Sequence, residues 1–171
     1  MSTFGLNITQ KLARARADLR MGAPVVIVGT SASLTYSAEV IGQSQFEALR
    51  EHFNNTRLVI TARRAETLKV ACYDGDFAQI SISDDRDLRW VKSVADPSRD
   101  LSTGPLGPFQ ILRGTATGQE HAALALLKSA ELLPAGILSE IRHPAEFADH
   151  NGLSLLHSAD IDELVQSHPN F

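Results

Sequence analysis

The sequence has 171 residues, 43% of them hydrophobic and 21% charged, which suits one domain with a packed core and excludes a largely disordered chain. The formal net charge is −4 and the charges are intermixed, so no basic stripe predicts binding to nucleic acid or to an anionic membrane. The single cysteine, Cys72, excludes an intrachain disulfide and a four-cysteine zinc site. No signal-peptide pattern is present and the apolar runs are too short to span a bilayer, so we expect a cytoplasmic protein.

In the first half of the chain, helical patterns alternate with short apolar runs. A helix is predicted over residues 8–19, ended by Gly22, because its apolar residues recur at helical spacing. Buried strands are predicted at residues 24–28, 34–41 and 58–60. Ser44 and Glu47 have the spacing of a capping box and predict a short helix through Leu49. Residues 62–68 are predicted to form another helix.

The second half continues the alternation. Residues 77–82 alternate as a strand with one apolar face, and Ser83 is predicted to cap a helix with Asp84 and Asp85 in its first turn. Residues 96–108 are a loop within the domain. Thr117 and Glu120 have capping-box spacing before a helix at 119–132. The remaining predictions are a strand at 135–141, a helix from Pro144 to Gly152, a strand at 153–156, a helix at 158–165 and a frayed tail at 166–171. This pattern predicts a single domain of stacked layers, α/β or α+β in class, over residues 1–165.

One segment of the chain resembles a known enzyme family. A Gly-Gln-Glu-His-Ala turn begins at Gly118, an apolar helix follows, and a Pro-Ala-Gly turn at Pro134 leads into a strand that ends in Ser139-Glu140. Without a gap, this segment resembles a stretch of 3,4-dihydroxy-2-butanone 4-phosphate synthase, in which a Gly-His-Thr-Glu-Ala turn opens a helix and a later strand ends in a catalytic Cys-Glu. Shorter pieces between residues 12 and 165 follow in the family's order.

The resemblance implies a mixed sheet with helices packed around it. It also implies a place in riboflavin biosynthesis, since the family converts ribulose 5-phosphate to formate and dihydroxybutanone phosphate. The family uses magnesium, held by a Glu of an acidic loop and by the His of the Gly-His-Thr turn, and it forms homodimers with active sites at the interface. A homodimer is therefore expected here, and the apolar helix at residues 122–132 would serve either the dimer or only the core.

This sequence departs from the family where the chemistry lies. The corresponding loop, residues 29–33, carries no charge, and Gln119 stands at the position of the metal-binding His. Glu120 replaces the Thr that holds the substrate phosphate, and Ala116 replaces a phosphate-binding Arg, so a phosphate dianion would face a carboxylate. Of the family's catalytic set only Glu140 remains, as a relic. No cofactor is expected, because a neutral amide compensates poorly for lost carboxylates at a hard cation.

We call Gly118, Gln119, Glu120 and His121 the remnant cleft, and alternatives stay open for its members. Glu120 could simply close the helix cap with Thr117. His121 could bind a metal, although a lone His on a helix is more often a partly exposed polar residue. Outside this cleft, Cys72 is interpreted as a small core residue and not as a nucleophile.

The favoured hypothesis is a catalytically inactive synthase-like module of riboflavin biosynthesis. Its role would be structural or regulatory, and it would be associated with, or excised from, a GTP cyclohydrolase II chain, whose cysteine-rich zinc motif is absent from these residues. The alternative is a divergent enzyme that uses Gln119, His121 and Glu140 on another small-molecule substrate. An active synthase with a rearranged site is the third hypothesis. The expected partners are a second copy of the chain and a GTP cyclohydrolase II domain, with no nucleic acid and no membrane.

Overall fold

A mixed seven-stranded sheet forms the centre of the protein, whose computed structural model describes residues 3–73, 75–114 and 117–167. The strands are β1 (Val25–Val28), β2 (Ala32–Ser37), β3 (Arg57–Thr61), β4 (Phe77–Ser81), β5 (Ile111–Leu112), β6 (Ala135–Glu140) and β7 (Leu155–His157). They lie in the order β5-β4-β3-β6-β2-β1-β7. Neighbouring strands are antiparallel except for β1 and β7, which run parallel. The expected mixed sheet is therefore confirmed.

Helices cover both faces of this sheet. They are α1 (Ile8–Arg20), α2 (Gln43–His52), α3 (Ala62–Leu68), α4 (Leu88–Ala95), α5 (Gln119–Ser129), α6 (Pro144–Asn151) and α7 (Ser158–Ser167), with one 3-10 turn at Pro97–Arg99. Within the described ranges, no helix is both long and apolar enough to cross a bilayer. The predicted tail, residues 166–171, begins inside α7, and residues 168–171 lie outside the described part of the chain.

Two hydrophobic cores lie on the two faces of the sheet. Successive side chains of β6 point to opposite faces, so Ile137 packs in one core and Leu138 in the other. The first core contains Phe46 of α2 and Val91 of α4. The second core is built mainly from apolar residues of α1, α5 and α7 packed on the sheet, among them Leu126 of α5. The result is a single α+β domain with the sheet between two layers of helices, which agrees with the expected α+β class.

Two predicted helix starts are wrong. Helix α2 begins after Gly42, whose main-chain N–H donates to the Gln45 side chain over 2.8 Å, so Ser44 does not cap it. Helix α4 begins after Asp87, whose carboxylate accepts from the N–H of Trp90 over 2.8 Å. Ser83 instead donates its hydroxyl to Asp85 in the loop before that helix. At α4 the competing capping side chain, Asp87, lies four residues after Ser83, whereas the N-cap of α2 is a glycine.

The second predicted strand is too long, because β2 ends at Ser37. The Ser37 hydroxyl accepts hydrogen bonds from the main-chain N–H groups of Glu39 and Val40, at 3.2 and 3.3 Å. These bonds turn the chain away from the sheet and towards α2. Cys72 also differs from its interpretation as a core residue: it is exposed, and its thiol donates to the carbonyl of Phe77 over 2.8 Å.

Candidate functional site

A polar cleft of about 400 Å³ lies at one end of the sheet, where β3 begins and where β4 and β6 end. The N-terminal end of α5 closes one side of it. The residues that line this polar cleft are Asn54, Asn55, Thr56, Arg57, Gln79, Ser81, Leu112, Arg113, Gly114, Thr117, Glu120 and Glu140. The sheet order explains the location, because β4, β3 and β6 are adjacent and bring side chains from distant parts of the sequence together.

The loop between β1 and β2 packs directly against the start of α5. The N–H of Thr30 donates to the carbonyl of Thr117 over 3.1 Å. A Cβ atom at Gly29 would lie 2.3 Å from that same carbonyl oxygen, so only glycine fits there. Gly118, the N-cap of α5, has φ 84°, a left-handed conformation that glycine adopts without strain. Two glycines thus allow the uncharged loop to approach the helix.

Gln119 is fully buried, and both polar atoms of its amide group are hydrogen-bonded to serine side chains within residues 29–33. The amide oxygen accepts from the Ser33 hydroxyl, and the amide nitrogen donates to the Ser31 hydroxyl over 2.6 Å. Ser31 in turn donates to the Glu140 carboxylate over 3.1 Å. Gln119, which the resemblance places at the family's metal-binding His, is therefore linked to Glu140 through one serine.

Glu140 lies at the exposed end of β6. Its main-chain N–H donates to the Asn55 side chain over 3.1 Å, which fixes the end of the strand. Its carboxylate faces the polar cleft and accepts the bond from Ser31. One carboxylate held in this way can orient a polar ligand, but a proton relay needs a second titratable group within hydrogen-bond reach.

Glu120 is buried beside the cleft, with its side chain 2% exposed. Its carboxylate accepts from the main-chain N–H of Thr117 over 3.1 Å and from the Thr117 hydroxyl over 2.9 Å. The predicted contact between these two residues is present, although Gly118 and not Thr117 is the N-cap of α5.

Sequence reasoning missed Arg57, which lies in the wall of this cleft. Its guanidinium Nη2 lies 3.3 Å from a Glu120 carboxylate oxygen, and its Nε donates to the Gln79 side chain over 2.5 Å. The Arg57 side chain is 8% exposed, so the two charges form a buried ion pair. The available signal was an arginine directly before the apolar run at residues 58–60, which is an unusual start for a buried strand.

His121 points away from the residues that line the polar cleft. Its Nδ1 lies 2.8 Å from the Asp76 carboxylate and its Nε2 lies 4.0 Å from that of Asp162 in α7. Burial raises the pKa of Asp162, the positive charge of a protonated His121 would lower it, and nearby Asp76 raises it. Of the remnant cleft, the structure thus places Glu120 in the wall of the polar cleft, Gly118 and Gln119 directly behind it, and His121 on the outer surface.

The donor groups present do not suit a magnesium ion of the kind that the resemblance implies. The loop at residues 29–33 offers hydroxyl groups only, the Gln119 oxygen already accepts a hydrogen bond, and Glu120 is paired with Arg57. Across the described ranges, no three His, Cys, Asp or Glu side chains are grouped so that they could hold a metal ion. Ala116, which the resemblance places at a phosphate-binding Arg, lies outside the described residues.

No protein-family model matches the sequence, and no curated protein is significantly similar to it. The fold, however, is similar to solved structures. A 3,4-dihydroxy-2-butanone 4-phosphate synthase in a cation-free form superposes with a TM-score of 0.71 at 18% identity, over 93% of this chain and 98% of the other. A synthase in complex with two magnesium ions gives a TM-score of 0.67 at 17% identity, over 96% of this chain and 99% of the other.

A two-domain synthase from A. baumannii gives a TM-score of 0.69 at 16% identity, and the match covers 92% of this chain but 58% of that one. These comparisons confirm the expected fold: the chain has the architecture of 3,4-dihydroxy-2-butanone 4-phosphate synthase.

Proposed function

We propose that this chain is a synthase-like module of riboflavin biosynthesis that does not catalyse the synthase reaction. One observation carries the proposal. In the region that the resemblance aligns with the family's active site, the polar side chains are hydrogen-bonded or ion-paired to one another. Gln119 is hydrogen-bonded to Ser31 and Ser33, and Glu120 is paired with Arg57. Removing a proton beside a carbonyl while a metal stabilises the enediolate needs carboxylates and metal ligands that are free to act.

A structural or regulatory role in association with GTP cyclohydrolase II is part of this proposal. The resemblance supports it, as does the occurrence of the same fold as roughly half of a two-domain protein. We also propose a homodimer and a cytoplasmic location, both implied by the resemblance. Co-purification with a GTP cyclohydrolase II chain from the same genome would support the association.

The proposed lack of synthase activity is tested by incubating the purified protein with ribulose 5-phosphate and magnesium and measuring formate. We expect formate release no greater than that of a heat-denatured sample, alongside an active synthase as positive control. Formate release by the natural chain that is abolished by Glu140→Gln would contradict the proposal, because it would show a working site built on that carboxylate.

A second candidate function is a divergent activity on another small molecule. The open volume of about 400 Å³ favours it, since Arg113 and Glu140 both line the cleft and are exposed. Calorimetric titration with a panel of sugars and nucleotides is the test, and heat of binding that Glu140→Gln removes would favour this candidate over an inactive module.

A further inference from the structure

A buried guanidinium forms the inner wall of the polar cleft. The Arg57 side chain is 8% exposed, and it donates from Nε to Gln79 and from Nη2 to Glu120. A buried positive charge is costly unless an anion is paired with it. Arg57 therefore marks a place in the cleft where an anion is required.

The anion at this place is fixed from several directions. The Glu120 carboxylate receives the Arg57 guanidinium on one side and the main-chain N–H and hydroxyl of Thr117 on the other. It also lies in the first turn of α5, whose N-terminal end carries partial positive charge. A guanidinium, a hydroxyl and a main-chain N–H are the same donors that proteins direct at phosphate and sulfate.

We propose that Glu120 is a built-in anion: it neutralises the Arg57 guanidinium, and its charge excludes external oxyanions such as phosphate from the adjacent open part of the cleft. This inference rests on the proposed inactive function, for which it supplies a mechanism of substrate exclusion. A phosphate that entered would meet the Glu120 carboxylate, which repels it at short range. Glu120 cannot move aside without breaking its bonds to Thr117 and leaving Arg57 unpaired. Besides this pair, the charged side chains that line the open volume are Glu140 and Arg113, one of each sign.

The test is Glu120→Gln, which removes the charge and keeps the shape of the side chain. Thermal unfolding is followed with increasing inorganic phosphate and, in parallel, with sodium chloride at matched ionic strength. We expect phosphate to raise the unfolding temperature of the variant in a saturable way and to leave that of the natural chain unchanged relative to chloride. The apparent affinity of the variant for phosphate should exceed that of the natural chain by about tenfold or more.

Two control variants separate the site from a general effect of charge. The double variant Arg57→Gln with Glu120→Gln lacks the guanidinium and should not respond to phosphate. Glu146→Gln removes a carboxylate from the first turn of α6, where the side chain is exposed, and should behave as the natural chain does. A phosphate response of equal size in all the variants would overturn the proposal.

A measurement on the natural chain keeps the proposal testable if Glu120→Gln does not fold. The Arg57 Nε–H signal is followed by NMR during titration with inorganic phosphate, and we expect no shift beyond that caused by chloride. A saturable shift would overturn the proposal, as would a folded Glu120→Gln variant that is indifferent to phosphate. Neither readout depends on turnover, so formate release would contradict the proposed function while these results decided the role of Glu120 separately.

Discussion

Two arginines, Arg57 and Arg64, are largely buried, and each forms an ion pair with a carboxylate. Their structural roles differ. Arg57 faces the polar cleft, whereas Arg64 joins helices. The Arg64 guanidinium binds Asp100 through two hydrogen bonds of 2.7 Å. It also donates to the carbonyls of Val94 and Ser93 near the C-terminal end of α4, at 2.7 and 3.2 Å. A positive charge is favourable at that end of a helix, so Arg64 ties α3 to α4 and to the turn that follows.

Because of the ion pair between Arg64 and Asp100, we expect the free energy of unfolding to depend on pH. The hydrogen bond from Arg64 lowers the pKa of Asp100. A carboxyl group whose pKa is lower in the folded state stabilises the fold above its unfolded pKa, and the contribution is lost as the pH falls through the folded pKa. We expect Asp100→Asn to lower the free energy of unfolding by about 1–2 kcal/mol near neutral pH. The difference from the natural chain should shrink below about pH 4.

Urea unfolding at a series of pH values measures this effect. Asp84→Asn is the control for an exposed and weakly paired carboxylate, because the Asp84 side chain is fully exposed and lies 3.9 Å from that of Arg50. If Asp100→Asn lost the same amount of stability at acidic as at neutral pH, the charge of Asp100 would not be the cause.

Among individual side chains, spacing along the chain predicted the contact between Glu120 and Thr117, which lie three residues apart. It did not predict the partner on the other side of Glu120, because Arg57 is 63 positions away. A buried carboxylate that looked like a helix cap is therefore both a cap and half of an ion pair.

At the scale of secondary-structure elements, the backbone of the β1–β2 loop lies in close contact with the backbone at the start of α5. Gly29 donates its N–H to the carbonyl of Ser31 over 2.7 Å, and Thr30 donates to Thr117, so the loop is held on both sides. A methyl group at Gly29 would meet the Thr117 carbonyl oxygen at 2.3 Å. Because that atom belongs to the backbone, a rotamer change cannot relieve the clash.

We expect Gly29→Ala to lower the free energy of unfolding by about 1–3 kcal/mol, the usual cost of overpacking. Gly104→Ala is the matched control, because a Cβ atom there meets nothing within 4 Å. Thermal or urea unfolding of both variants gives the comparison. Equal stability of the two variants would mean that the loop moves freely away from α5.

The predicted bounds of helices were most accurate where a single residue signalled the start or the end of the helix and no neighbouring residue gave a competing signal. The helix at residues 62–68 matches α3 to the residue, and Pro144 and Gly152 bound α6 as expected. Helix starts failed where two capping side chains competed within a few residues, as Ser83 did with Asp87. Differences of this kind depend on which first turn packs on the sheet, and local spacing does not contain that information.

At the scale of the whole molecule, the apolar helix predicted at residues 122–132 was expected to serve either a dimer or only the core. Most of α5 is buried inside the protomer, where it contacts α1, α7 and the sheet. Leu126 and Leu127 are fully buried within this one chain. These two side chains serve the core of this one chain and are not available to a contact with a second copy.

We therefore expect Leu127→Ala to lower the free energy of unfolding by about 2–5 kcal/mol, the usual range for a buried leucine. The loss should not depend on protein concentration, whereas a side chain in a dimer interface would make it concentration-dependent. Leu101→Ala is the control, because Leu101 is fully exposed. Sedimentation of the natural chain at micromolar concentration tests the proposed dimer in the same experiments, and a clean monomer would contradict it.

The sequence by itself determined the succession of helices and strands and the layered class, because residue types and the spacing of near neighbours record local structure. It also shows that the loop at residues 29–33 carries no charge. That Gln119 and Glu120 stand where the family has a His and a Thr is what the resemblance implies.

Only the tertiary structure decided which side chains Glu120, Glu140 and His121 contact. The pairing of β2 with β6 brings Ser31 to Glu140, and the packing of α5 on the sheet brings Glu120 to Arg57 of β3 and leaves His121 facing Asp76 outside the cleft. The physical reason is that hydrogen bonds and ion pairs form wherever the sheet order brings side chains together, and that order depends on packing of the whole chain.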